Sequence, residues 1–228
     1  MENPEWKFAF IAKRLSDYWG EAIRPQTANA LDSLIETILS QNTNDNNRNL
    51  AFRRLKQAFP DWEAVENAPT EVIEDVIRPA GLAPQKAPRI KKVLEWLRET
   101  HGSFDLDFIC EWPEEKAIET LSKLRGVGIK TISVVLLFAC KKDVFPVDTH
   151  IYRITKRVGL IPEKTSVANA HRLLGQWVPK GKAFSLHINL LKLGRTICKA
   201  RRPKCEICPI RNVCDYYQSI VDNFEDLH

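Results

Sequence analysis

Four of the six cysteines of this 228-residue chain stand within one short stretch, CKARRPKCEICPIRNVC, as Cys198, Cys205, Cys208 and Cys214. Their spacing is Cys-x6-Cys-x2-Cys-x5-Cys. Thiolates gathered at one point repel one another, so the pattern calls for a metal centre. A single tetrahedral zinc is the simplest occupant, but the paired Cys-x2-Cys knuckles of zinc modules are missing. The first gap carries Lys199, Arg201, Arg202 and Lys204. A loop pinned at both ends by metal ligands is rigid, and such a loop presents cations to phosphates at little ordering cost. Cys110 and Cys140 lie apart from the group and read as ordinary buried cysteines.

A second group lies in LSKLRGVGIKTISVVLLFA. Gly126 and Gly128 open a tight turn between two helical stretches and leave backbone N–H groups at the start of the second, which suits a phosphate. Leu124 and Val127 with the helix formers on either side mark a helix-hairpin-helix element over roughly 114–139. Lys130 begins the second helix. It is either a solvated surface charge or an amine available as a nucleophile. Asp148, in FPVDTHIYRI, precedes another apolar-periodic helix; it caps that helix, faces a nucleophile as a carboxylate, or does both.

The elements that must position these groups are helical. Leu31, Leu34, Ile35, Ile38 and Leu39 follow the i, i+3, i+4, i+7, i+8 stripe of an amphipathic helix. Leu50–Phe59 continues the pattern up to Pro60, and Thr70 is placed to cap a helix carrying Val72, Ile73, Val76 and Ile77. Ile90, Val93, Leu94 and Leu97 mark another, Ala117, Ile118, Leu121 and Leu124 one more, and Ser166–Trp177 and Phe184–Leu193 two further ones. No segment sustains the period-2 alternation of a half-buried strand, so the chain reads as all-α. Its composition, 44% hydrophobic and 28% charged, is that of a globular protein. The apolar stretch Ile132–Cys140 is too short to span a bilayer, and MENPEWKFAFIAKRL has no signal-peptide core, which predicts an intracellular protein with no membrane partner. Net charge is +5, yet Leu121–Asp215 holds 19 Lys or Arg against 5 Asp or Glu. That half of the chain is either a solvated basic surface or suited to a polyanion.

Taken together, LRGVGIKT, VDTH and the cysteine spacing resemble endonuclease III, a family of helix-hairpin-helix DNA glycosylases with a Gly/Pro-rich loop and a following aspartate. TILSQNTND resembles the family's early helix-and-loop segment, so the likeness covers nearly the whole chain. The resemblance implies two all-α lobes flanking a DNA-binding cleft: a six-helix barrel lobe over 28–143, and a cluster lobe made of 1–27 with 144–228. It implies a [4Fe-4S] cluster on Cys198, Cys205, Cys208 and Cys214 in the loop 198–214. It further implies a base-excision-repair DNA glycosylase and AP lyase, acting as a monomer on double-stranded DNA with a damaged or mismatched base or an abasic site. Damaged, oxidised pyrimidines are the expected substrates. Lys130 is then the Schiff-base nucleophile and Asp148 its carboxylate partner. Arg125, Gly126, Val127 and Gly128 in the hairpin, and Thr149 and His150 after the aspartate, join Lys199, Arg201, Arg202 and Lys204 as expected DNA contacts. Leu82 is either the family's intercalating wedge or a core leucine. Gln41, Asn42, Thr43 and Asn44 either fill the gap left by a flipped base or cap helices.

Departures from the family pattern lie near the site. Arg125 replaces a common proline, Pro146 stands in a loop without glycine, and SQNTND differs from Ser-Ala-Gln-Ala-Thr-Asp. Glu36 is either a solvated or capping side chain or, by its resemblance to the proton donor of adenine glycosylases, a support for the alternative of a mismatch-specific thymine or uracil, or adenine, glycosylase of the same fold. A non-catalytic DNA-binding iron–sulfur module is the remaining alternative.

Overall fold

A computed structural model describes residues 3–24 and 29–225, with side chains as far as residue 222. Its described residues form α-helices and short 3-10 turns, with no strand among them. Helix α1 is Pro4–Trp19, started by Asn3, whose side chain accepts from the amides of Glu5 and Trp6. There follow α2 (Ala30–Ser40), α3 (Asp45–Ala58), α4 (Trp62–Asn67), α5 (Thr70–Ile77), α6 (Ala83–His101), α7 (Glu114–Leu121) and α8 (Ile129–Phe138). The chain closes with α9 (Thr149–Arg157), α10 (Val167–Trp177), α11 (Ala183–Thr196) and α12 (Asp215–Glu225).

The described residues divide into two compact units, 29–142 and 3–24 with 143–225. The boundary expected between residues 27 and 28 lies outside the described residues. In the first unit, α2 packs on α8, and Leu34, Ile35, Ile38 and Leu39 of the one and Ile132, Val135 and Leu136 of the other are all fully buried. The stretch that begins at Ile132 is therefore the buried helix its hydropathy predicts. Around this pair α5 packs on α6 and α3, and α7 packs on α8. Thr70 does not cap α5. Pro69 precedes the helix and no side chain caps it, so Thr70 is its first residue.

Cys110 and Cys140 correct the sequence expectation. They are partly exposed and joined by a disulfide, which ties the 3-10 turn Asp107–Glu111 to the residues just beyond α8. They stand thirty residues apart, and spacing alone carried no hint of the pairing.

In the second unit, α1 packs on α10 and α11, and α9 on α11. Phe8, Ile11 and Leu15 bury the inner face of α1, and Phe8 meets Phe145 edge-on at 5.4 Å. The Lys7 ammonium is nearly buried and bonds Asp215 at 2.7 Å. Asn189 and Ser185 of α11 fix the segment after α1 by bonds to the Gly20 carbonyl and the Ala22 amide.

Candidate nucleic-acid and cluster sites

The turn between α7 and α8 is built from short-range bonds: Leu124 N–H to the Leu121 carbonyl and Val127 N–H to the Leu124 carbonyl. Gly126 has φ +87°, a left-handed conformation that L side chains rarely adopt. Gly128 precedes α8 in an extended conformation, and no side chain of the N-cap residue caps the helix. Arg125 and Gly128 are exposed, and Gly126 is half-buried. Val127 is different. Its side chain is 2% exposed and its amide is committed within the turn, so it shapes the hairpin from inside. Lys130 projects from the first turn of α8 and is half-buried.

In the same unit, the segment after α2 is more constrained than its polar composition suggests. Gln41 ends α2, and its amide is used on both sides: Nε2 donates to the Gly126 carbonyl at 3.0 Å, and Oε1 accepts from Arg89 at 2.7 Å. Asn44 caps α3, accepting from Asn47 N–H at 2.9 Å. Thr43 is half-buried, and its amide bonds the Ser40 carbonyl. Asn42 is exposed and held at φ +54°. Leu82 resembles it, with φ +51° and an exposure of 42%, which removes the core reading of that leucine. Non-glycine residues in the left-handed region store strain and cluster at ligand clamps.

Between them lies a residue that the sequence reading missed. Lys86 is fully buried, and its ammonium donates to the Leu39 carbonyl at 2.7 Å and the Ala80 carbonyl at 2.8 Å. Burial, with the neighbouring Arg89 charge as a second cause, lowers its pKa to about 8. Its two acceptors precede the Asn42 and Leu82 tips by a few residues, so one buried cation sets the foundation of both. Glu36, on α2, is half-buried; burial raises its carboxyl pKa, and Arg48 opposes the rise.

In the other unit, Asp148 caps α9, with Oδ1 accepting from Ile151 N–H at 2.8 Å. This fixes its rotamer and half-buries it. Thr149 is exposed, and His150 Nδ1 faces the Arg153 guanidinium at 3.1 Å. Arg153 and Arg157, absent from the sequence candidates, anchor the cysteine loop to α9. Arg153 donates to the Gly194 and Cys198 carbonyls. Arg157 reaches Cys198 Sγ at 3.3 Å and the Lys199 and Ala200 carbonyls. Their spacing in HIYRITKR, one helical turn apart after Asp148, is the signal that would have found them.

Cys198, Cys205, Cys208 and Cys214 are in no disulfide, and they line one pocket with Ile197, Arg157 and Tyr217. Burial pushes the Cys208 thiol up to about 11, and the other three sulfurs push the same way. Burial also raises Cys205 and Cys214, each with Cys198 as a further cause. Four mutually repelling sulfurs around a shared space fit a multinuclear iron centre, whose irons offset thiolate charge. Lys199, Arg201, Arg202 and Lys204 are exposed on the same loop, with Arg202 in the left-handed region at φ +52°.

Comparison with known proteins places this arrangement. Residues 35–180 match the HhH-GPD superfamily base excision DNA repair proteins, and residues 198–214 match the iron-sulfur binding domain of endonuclease III. Endonuclease III of Sulfolobus acidocaldarius is 34% identical over 202 residues, 87% of this chain and 87% of that protein. A putative DNA glycosylase of Arabidopsis thaliana is 36% identical over 189 residues, 79% of this chain and 64% of that protein. A solved non-covalent endonuclease III–DNA complex superposes with a TM-score of 0.83 at 26% identity, covering 97% of this chain and 100% of the other. A trapped endonuclease III–DNA covalent intermediate gives 0.82 at the same identity, covering 97% of this chain and 100% of the other. The chain belongs to the endonuclease III family, and its cofactor is a [4Fe-4S] cluster. No helix of the described residues is long and apolar enough to cross a membrane.

Proposed function

We propose that Lys130 is the nucleophile and Asp148 the assisting carboxylate of this base-excision DNA glycosylase and AP lyase, and that its substrates are damaged pyrimidines in duplex DNA. The observation that carries the reading is the position of Lys130: in the first turn of α8, half-buried, directly after a glycine turn whose helix amides no side chain caps. Phosphate on those amides would seat the DNA backbone beside the amine. A trapped covalent intermediate of a solved relative supports a covalent route.

The chemistry follows from an amine acting at a sugar carbon. A base inside a duplex is out of reach, so the nucleotide is first flipped out. Exposed Leu82 and Asn42, both on strained left-handed tips, are suited to fill the space it leaves. The neutral Lys130 amine attacks C1′, the C1′–N bond to the base breaks, and the base leaves with a proton. The sugar ring opens to an imine between Lys130 Nζ and C1′. Loss of a C2′ proton then expels the 3′ phosphate by β-elimination, and water hydrolyses the imine to free the enzyme. Asp148, locked by its capping bond, stabilises positive charge on the sugar and carries protons. Cys198, Cys205, Cys208 and Cys214 hold the cluster, which fixes the loop presenting Lys199, Arg201, Arg202 and Lys204 to phosphates. The protein acts as a monomer in this reading.

Borohydride trapping tests it. Labelled duplexes carrying thymine glycol, a G·T or G·U mismatch, adenine opposite 8-oxoguanine, or an abasic site are incubated with the protein. A covalent band strongest on thymine glycol among the base lesions, and absent in Lys130→Ala, is expected. No band on any duplex would overturn the lysine mechanism. Glu36, half-buried on α2 with its carboxyl pKa raised by burial, favours a second reading in which this acid serves a purine as proton donor. A strongest signal on the adenine duplex, lost in Glu36→Gln, would select it.

A further inference from the structure

Gln41, Arg89 and Gly126 come from three elements, the end of α2, the middle of α6 and the hairpin turn, and they close on one another. The Arg89 Nη1 donates to Gln41 Oε1 at 2.7 Å, and Gln41 Nε2 donates to the Gly126 carbonyl at 3.0 Å. The third side is contact: a Cβ added at Gly126 would lie 2.5 Å from Arg89 Cδ and 2.6 Å from Nε. The arginine side chain therefore lies flat against the turn. The chemistry fixes the amide's direction. A guanidinium only donates and a carbonyl only accepts, so the Gln41 oxygen must face Arg89 and its nitrogen Gly126.

Gly126 is four residues from Lys130; between them Val127 is buried and Gly128 leads directly into α8. A shift of the turn carries the Lys130 amine with it. From this triangle we infer that Arg89 and Gln41 are positioning residues for Lys130, holding the hairpin turn in register so that the amine reaches C1′. Gln41 is spent on this bond network, and the DNA-facing residue of its segment is the exposed Asn42. The inference rests on the role proposed above for Lys130.

The test separates positioning from DNA contact and from folding. Arg89→Met, Gln41→Leu and the double variant are compared with the parent on an abasic-site duplex. Single-turnover trapping at saturating protein reads the chemical step, and the Kd for an uncleavable duplex reads contact. Misplacement of a reacting group by a fraction of an ångström to one ångström costs between about tenfold and a hundredfold in rate. Each single variant is expected to trap about tenfold or more slowly, with Kd changed by less than about threefold. The double variant should be no slower than the worse single, because either change alone opens the triangle. Arg89→Lys, which can still donate to Gln41, should recover part of the rate. Amide hydrogen exchange over residues 122–130 should quicken in both single variants while the α2 and α8 core stays protected. Multiplying rate effects, an effect confined to Kd, or unchanged exchange in the hairpin would each overturn the inference. If the parent itself traps nothing, the function proposed for Lys130 falls, and the exchange result alone decides whether the brace exists.

Discussion

Gly159→Ala is a small change whose cost can be worked from the structure. Gly159 stands just beyond α9 at φ +74°, and an L residue there costs about 1–2 kcal/mol. The added methyl would also lie 1.7 Å from Asp215 Oδ2 and 2.4 Å from its Cγ, so the carboxylate must leave. Asp215 accepts from Lys7, whose side chain is 8% exposed against 65% for Asp215. Loss of a charged hydrogen bond to a nearly buried ammonium costs about 1.5–3 kcal/mol, reduced to about 1 here because water reaches the carboxylate. The sum is about 2–3 kcal/mol. For a chain of this size that corresponds to a fall in Tm of about 4–12 °C. Because Asp215 directly follows Cys214, the cluster's visible absorbance should be lost at a correspondingly lower temperature. The assay is a set of thermal melts of Gly159→Ala, Asp215→Ala and the double variant. With Asp215 already truncated, adding alanine at 159 should cost only the backbone part, about 1–2 kcal/mol. A glycine effect of equal size in both backgrounds would refute the collision as its source. A melt within about 2 °C of the parent would refute the whole reasoning.

Replacing Cys110 and Cys140 by serine should lower stability by about 3–4 kcal/mol, the chain-entropy value for a closed loop of this length, read as a lower denaturation midpoint in the absence of reductant. An intact mass showing both thiols free in the parent would remove the basis of that figure. Lys86 makes stability depend on alkaline pH. Its folded pKa, about 8, lies below the ordinary lysine value of about 10.5, so between these limits the unfolded chain binds more protons and unfolding free energy rises with pH. The stability of the parent relative to Lys86→Met should therefore climb from pH 7.5 to pH 10 in urea titrations, and a flat difference would exclude a depressed Lys86. Neutralising Lys199, Arg201, Arg202 and Lys204 together should flatten the salt dependence of duplex binding by about 3–4 in the log–log slope if each meets a phosphate. An unchanged slope would place the loop away from the DNA.

The cysteine spacing and the glycine turn were legible in the sequence because both are local: the residues that do the work lie close together along the chain. The helices were legible for the same reason, and their apolar stripes correspond to the buried faces of α2, α6 and α8. What stayed hidden depends on distant partners. Nothing in SQNTND shows that Gln41 meets Arg89 and Gly126, since those contacts span 48 and 85 residues. Lys86 reads as a surface charge on a polar helix until the carbonyls of Leu39 and Ala80 are seen to enclose it. Leu82 was ambiguous because it sits in a turn, where helical periodicity assigns no face; its exposure settles that it is not core. The disulfide was missed because two lone cysteines in sequence carry no distance.

Helix α1 belongs to a unit whose other helices come after residue 142. On the ribosome this helix is made before its partners, and the helices α10 and α11 that pack on it emerge only after the entire unit 29–142. At roughly 5–20 residues per second, that wait is of the order of ten seconds. The inserted unit can complete its core during the interval, whereas α1 must remain unpaired, with its apolar face available to chaperones. The last cluster cysteine, Cys214, is synthesised later still, so the four ligands are first present together only after the whole of 29–142 has been made.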